Sequence, residues 1–177
     1  MVKKIIWIVL YTVVFFGAVV YFVPKQNLYY ALENELQKYG IVIDAEDVIE
    51  HPFSLELRHP KVYLKGIEVF QALDVDIRVW IFFNEIKTDK ARIGSVVKNF
   101  IPTHIDTLQI VYSLWHPFYI TGYSKGNFGS INLQTDILER KGVLRLKPSE
   151  MMRTKYANTL RKLEKNQKGE YLYEQNF

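Results

Sequence analysis

The feature that most constrains this chain is the run IIWIVLYTVVFFGAVVYFV, Ile5 to Val23, nineteen residues without a charge. At about 1.5 Å of rise per residue, a helix of that length matches the roughly 30 Å hydrocarbon core of a bilayer. Trp7, Tyr11 and Tyr21 lie towards its ends, where amphipathic rings settle, and Phe15 and Phe16 fall nearer its middle. Lys3 and Lys4 precede it, so the charge rule for membrane helices predicts a cytoplasmic N-terminus and export of everything that follows. The expected anchor residues are Ile5, Trp7, Tyr11, Phe15, Phe16, Tyr21 and Val23. A cleaved signal peptide is the main competing reading. It predicts a shorter apolar stretch, about 7–15 residues, ending in small side chains. Here the exit reads Val20-Tyr21-Phe22-Val23-Pro24, bulky throughout. A helix buried in a soluble core is the third reading.

Setting aside residues 1–24 as stub and anchor leaves 25–177, enough chain for one domain with its own core. Apolar residues make up 49 % of the sequence, which excludes a disordered chain, and its 12 Tyr and 11 Phe favour pleated, half-buried surfaces. The absence of cysteine excludes disulfides, thiolate nucleophiles and zinc–thiolate sites. The net charge of +4 includes Lys3 and Lys4, and apart from the C-terminal stretch the remaining basic residues are interleaved with acids, so nucleic acid is not an expected partner.

After Pro24, QNLYYALENELQKYG repeats Leu28, Leu32 and Leu36 at helical spacing, with Tyr29 and Tyr39 alongside and Gly40 placed to end the helix. It is either a partner-binding helix or one lying across the open end of a sheet. From Ile41 the period changes to two: Ile41 and Ile43, Leu55 and Leu57, Val62 and Leu64, Ile67 and Val69. The longest alternation runs from Leu73 to Phe83 and predicts one strand, half-exposed at first and apolar on both faces by Trp80 and Phe82. Further strands are expected at Leu108–Leu114, Phe118–Gly122, Ile131–Leu133 and Val143–Leu146, with turns at Trp115-His116-Pro117 and at Gly126-Asn127. Residues 92–100 carry too weak a pattern to choose between helix and loop. Ser149 is placed to cap a last helix of roughly 15 residues, with Met152, Tyr156, Leu160 and Leu163 on one stripe and a basic remainder. Such a helix either packs on the sheet or meets anionic headgroups or an acidic partner.

The chemical inventory is sparse. His51, His59 and His116 each precede proline, and none of the four histidines has a metal-ligand spacing with another, so they are read as bends and strand entrances. Asp74 and Asp76 resemble a carboxylate pair, but Arg78 shares their face and is expected to pair with Asp76. Nucleophile-elbow, dinucleotide, phosphate-loop and zinc-protease signatures are all missing. No catalytic, metal or cofactor-binding residue is therefore expected. The candidate partner or lipid face consists of Trp80, Phe82, Phe83, Trp115 and Phe118.

The segment GNFGSINLQTDILERKGVLRLKPSE, Gly126 to Glu150, with the polar stretch after it and the closing Lys168-Gly169-Glu170-Tyr171-Leu172-Tyr173, resembles the C-terminal part of type II secretion system protein N. The layout of one span, a Leu-spaced helix and then β structure is similar too. That family is in turn similar to AsmA-like envelope proteins, whose curved sheets present an apolar face to lipid. The resemblance implies an inner-membrane protein with a periplasmic domain serving an envelope machine, and it carries over no catalytic residues. This chain departs from the family in being short, with few strands for a long lipid groove.

The resulting expectation is an α+β fold, mainly antiparallel β: a transmembrane helix, a short amphipathic helix, a curved β meander and a C-terminal helix. Its expected role is a non-enzymatic scaffold in a secretion, pilus-like or flagellar-motor assembly. Partners would be other envelope proteins, further copies paired through sheet edges, and membrane lipid. The alternative is an AsmA-like lipid-binding or lipid-transfer module.

Overall fold

In the computed structural model, which describes residues 2–167 and 169–177, the chain is α+β with one large antiparallel sheet. Helix α1 (Val2–Phe22) contains the apolar run, and its Lys3–Phe22 portion is long and apolar enough to cross a membrane. Its side chains are almost wholly exposed, so the segment is not a core helix. Val23 lies just beyond its end.

Helix α2 (Lys25–Gln37) follows and closes at Gly40, whose φ of +77° suits a residue without a side chain. It packs on the first strands, but not by the leucine stripe. Leu28 and Leu32 are each 55 % exposed, and Tyr29 instead enters the core. Burial pushes the Tyr29 phenol up to about 12, helped by the nearby charges of Glu33 and Asp44.

The first strands come in broken pairs. β1 (Ile41–Asp44) and β2 (Asp47–Glu50), β3 (Ser54–Arg58) and β4 (Lys61–Leu64), and β5 (Ile67–Gln71) and β6 (Asp74–Val79) are each nearly continuous lines interrupted at one level. β7 (Phe83–Ile93) pairs with β6 along one part and with β5 near its end, so the sheet forks there. The breaks form a crease. His59 adopts φ +46°, Pro60 is fully buried, and Lys90 in β7 adopts φ +57° beside the fully buried Ala91. Backbone bonds still cross the crease, from Ala72 N–H to Pro60 O at 3.0 Å and from His59 N–H to Leu73 O at 2.7 Å. Small or rigid residues at this line let the backbones turn without losing their partners.

Beyond β7 the sheet is a plain meander of β8 (His104–Ser113), β9 (Tyr119–Gly126), β10 (Gly129–Asp136) and β11 (Lys141–Pro148). It ends with β13 (Tyr171–Asn176) and the two-residue β12 (Glu164–Lys165). Directly opposed residues share a face, and one row crosses nine strands: Val48, Leu57, Val75, Thr88, Leu108, Ser124, Ile131, Leu146 and Tyr171. The helices close over this apolar side. Tyr29, Met152, Leu160 and Phe128 join Leu55, Leu57, Val75, Ile105 and Leu146 in a single core. The reverse side is polar, as in the row Glu56, Asp76, Lys87, Gln109, Tyr123, Asn132 and Arg145.

Several expected elements are corrected. The Leu73–Phe83 alternation is not one strand, since β6 stops at Val79 and the chain reverses at Trp80–Phe82 into β7. Residues 92–100 hold the end of β7 and one 3-10 turn, Ser95–Val97. The last helix starts where Ser149 caps it, its Oγ accepting from Met152 N–H at 3.1 Å, but breaks at Tyr156 into α3 (Glu150–Lys155) and α4 (Ala157–Leu160). Lys168, which opens the closing segment quoted for the resemblance, lies outside the described residues.

Candidate functional site

The hairpin turns β2–β3, β6–β7, β8–β9 and β10–β11 all fall at one end of the sheet, together with the C-terminus of β13. The end of α1 arrives at this same end, where the Tyr21 ring meets Phe53 edge-on at 6.2 Å. The joint is made by Glu50, the last residue of β2. Its carboxylate accepts from the backbone N–H of Lys25 at 3.1 Å and of Gln26 at 3.3 Å, capping the start of α2. Gln26 Nε2 donates to Val48 O at 2.7 Å. Lys25 is buried to 2 % exposure; its Nζ donates to Val23 O at 3.2 Å and faces Glu50 at 3.9 Å. Beside the Val23 carbonyl, Glu50 supplies this buried ammonium with a carboxylate, so the two ends of the joint depend on each other.

The turns themselves are apolar. Trp80 stacks on Phe53 of the neighbouring hairpin with centroids 4.7 Å apart, and Phe82 on Trp115 of the next at 6.3 Å. Phe83 opens β7 and Phe118 flanks β9, both exposed. All five residues singled out in the sequence thus stand at one end of the sheet. Phe53, Leu114, Leu138 and Phe177 extend the same rim and were not singled out. Phe53 and Phe118 each follow a His-Pro pair, a local signal that marked the turns but not their common destination. The tips are also tied backbone to backbone. Val79 N–H donates to Phe53 O, Leu114 N–H to Phe82 O, Ile137 N–H to Phe118 O and Phe177 N–H to Arg140 O, all within 2.8–3.2 Å. The rim is therefore one fixed edge, not a set of loose loops.

Between the rim and the covered core, the apolar side stays open. The row Leu55, Ile77, Ile86, Ile110, Gly122, Leu133, Leu144 and Tyr173 runs across it, with Ile86 39 % exposed and Ile77, Ile110, Leu133 and Leu144 half-buried. A groove of about 340 Å³ lies over its far part, lined by Leu133, Leu144, Tyr173 and Phe177 among others.

The polar side holds the candidate acid–base groups. Arg78 Nε pairs with Asp76 at 3.0 Å and Arg78 Nη1 with the buried Glu85 at 3.2 Å, as the shared face of Asp76 and Arg78 predicts. Glu56 is held below the usual carboxylate range, first by the hydrogen bond from Arg58 and then by that from His51. His51, His59 and His104 each meet one carboxylate, Glu56, Glu46 and Asp106 respectively, at separate points of the sheet. Among the described residues no group of three His, Asp or Glu side chains converges as metal ligands would. A shallow polar hollow of about 730 Å³ between Thr121, Asn132, Gln134, Arg145, Asn166, Gln167 and Glu170 completes this face. The tail cations Arg153, Lys155, Arg161 and Lys162 lie on α3, α4 and their flanks, beyond the Pro148 end of β11 and thus opposite the aromatic rim.

No protein-family model, curated protein or solved structure matches this chain.

Proposed function

We propose that this chain is a non-enzymatic, single-pass inner-membrane component of a bacterial envelope assembly, with a cytoplasmic N-terminus and a periplasmic sheet serving as scaffold. The observation that carries this reading is the Glu50 joint, which fixes the sheet to the end of an exposed apolar helix. A domain that only needed tethering would be served by a flexible linker; a braced one presents its surfaces at a set position. The edges of the sheet, at β12 on one side and β1–β2 on the other, offer strands for pairing with another protein or a second copy. No nucleic acid is among the proposed partners. Photo-crosslinkers placed in turn on Asp47, Ile49 and Glu164 of the full chain, in native membranes, test this. One discrete adduct from an edge, abolished by proline substitutions in that strand, is expected. A monodisperse monomer without adducts or co-purifying envelope protein after mild detergent extraction overturns it.

A second reading is favoured by the open apolar row from Ile77 to Leu144, which suits acyl chains and matches the AsmA-like alternative. Native mass spectrometry of protein extracted from its own membranes decides it: stoichiometric phospholipid is expected, and bare protein rejects it.

A further inference from the structure

We infer that the aromatic rim at the α1 end is seated in the interface of the bilayer that α1 crosses, so that the sheet stands on the membrane on its hairpin tips. This rests on the reading of α1 as a membrane span.

Single exposed apolar residues are ordinary on protein surfaces and would support nothing. Here position and chemistry coincide. Trp115 is 79 % exposed, Leu138 68 %, Phe82 54 % and Trp80 48 %, spread over three neighbouring hairpin tips at one end. The end of α1 touches that rim directly through Tyr21 and Phe53, so the level at which the helix leaves the hydrocarbon is the level of the tips. Tryptophan and its aromatic neighbours partition to this depth, where a ring is dehydrated and an indole N–H still finds a partner. The opposite end also exposes Tyr39, Leu64, Ile67, Val96 and Phe100, but there each stands next to or within two residues of an exposed lysine (Lys38, Lys65, Lys98), it carries no tryptophan, and Phe100 adjoins the cationic α3–α4 region. The tip-to-tip backbone bonds make insertion inexpensive, because the rim is already ordered before it meets lipid.

The three tryptophans, Trp7, Trp80 and Trp115, allow a direct test in the full chain. A Trp7→Phe protein, reconstituted in phosphatidylethanolamine–phosphatidylglycerol vesicles, reports the rim alone; a Trp80→Phe/Trp115→Phe protein reports α1 alone. Each is mixed with phosphatidylcholine brominated either near the headgroup or deep in the acyl chain. The expected result is a blue-shifted rim emission that is lost more strongly to the shallow bromines than to the deep ones. Unquenched rim emission beside a quenched Trp7 overturns the seating while leaving the span intact, and points to a protein partner for the rim. Unquenched emission from both proteins overturns the span and the seating together. The substitutions keep a ring at every position, so the fold is retained, and sheet content by circular dichroism verifies it.

Discussion

Glu50 shows how one side chain can set a geometry far larger than itself. It accepts from two helix-start amides and faces the ammonium of Lys25, one of the few buried charges among the described residues. Replacing it by alanine strands both amides and that ammonium, and the expected loss is ~2 kcal/mol in denaturant unfolding of the full chain in detergent. Glu50→Gln retains a capping oxygen and loses less. Adding Lys25→Met to Glu50→Gln removes the orphaned charge, and the double variant is expected to recover most of the stability. Nothing near Glu50 in the sequence announces this role, because its partners lie 24 and 25 residues away. The Arg78–Asp76 pair was legible for the opposite reason: a two-residue spacing on a strand puts both side chains on one face.

At the scale of elements, hairpins were legible where glycine and proline mark them and illegible where aromatics do. The Trp80-Ile81-Phe82 reversal has no turn residue, and its apolar alternation continues straight through the bend. β7 then escapes notice because its segment NEIKTDKAR reads as a polar loop, although it is the strand at which the sheet forks. Its core-facing position opposite Val75 and Leu108 is filled by Thr88, whose hydroxyl is satisfied by Asp74 O, so no apolar period appears. The α2 leucines misled in the other direction, since the helix buries Tyr29 and leaves Leu28 and Leu32 outside. The β9–β10 hairpin was legible, and it makes a quantitative case. At Gly129, φ is +112° and an added Cβ would lie 2.0 Å from Lys147 O. Gly129→Ala is expected to cost ~3 kcal/mol or more, against about 1 kcal/mol for Gly66→Ala. Gly66 shares a positive φ, +81°, but has open space around it. Parallel thermal melts of the two variants check the ranking, and equal losses would contradict the geometry.

For the whole molecule, orientation is the property on which the proposed role depends. The sequence contains no cysteine, so one engineered thiol is the sole reactive site in the protein. With the proposed orientation, Ser95→Cys is labelled by a membrane-impermeant maleimide in cells with a permeabilised outer membrane, while Lys3→Cys is labelled only after the inner membrane is opened. The reverse pattern inverts the topology. A thiol at Ser95 found on protein lacking its first two dozen residues identifies a cleaved leader. The general architecture, one apolar helix followed by a mainly antiparallel sheet, was readable from the change of period at Ile41. The common end of the hairpins was not, because it depends on how many strands lie between the bends, a property of the register and not of any local run.

The register also limits how such a protein can change size. If the rim rests on the bilayer, the reach of the sheet is set by its strands, and the 11 residues of β7 span about 35 Å. Inserting a single residue into every strand would turn the apolar row outwards and the charged row inwards, so growth is permitted only in pairs. The distance from membrane to far edge is then quantised, in steps of about 7 Å. Relatives built on this plan would serve assemblies of different height by whole steps, with no intermediate setting.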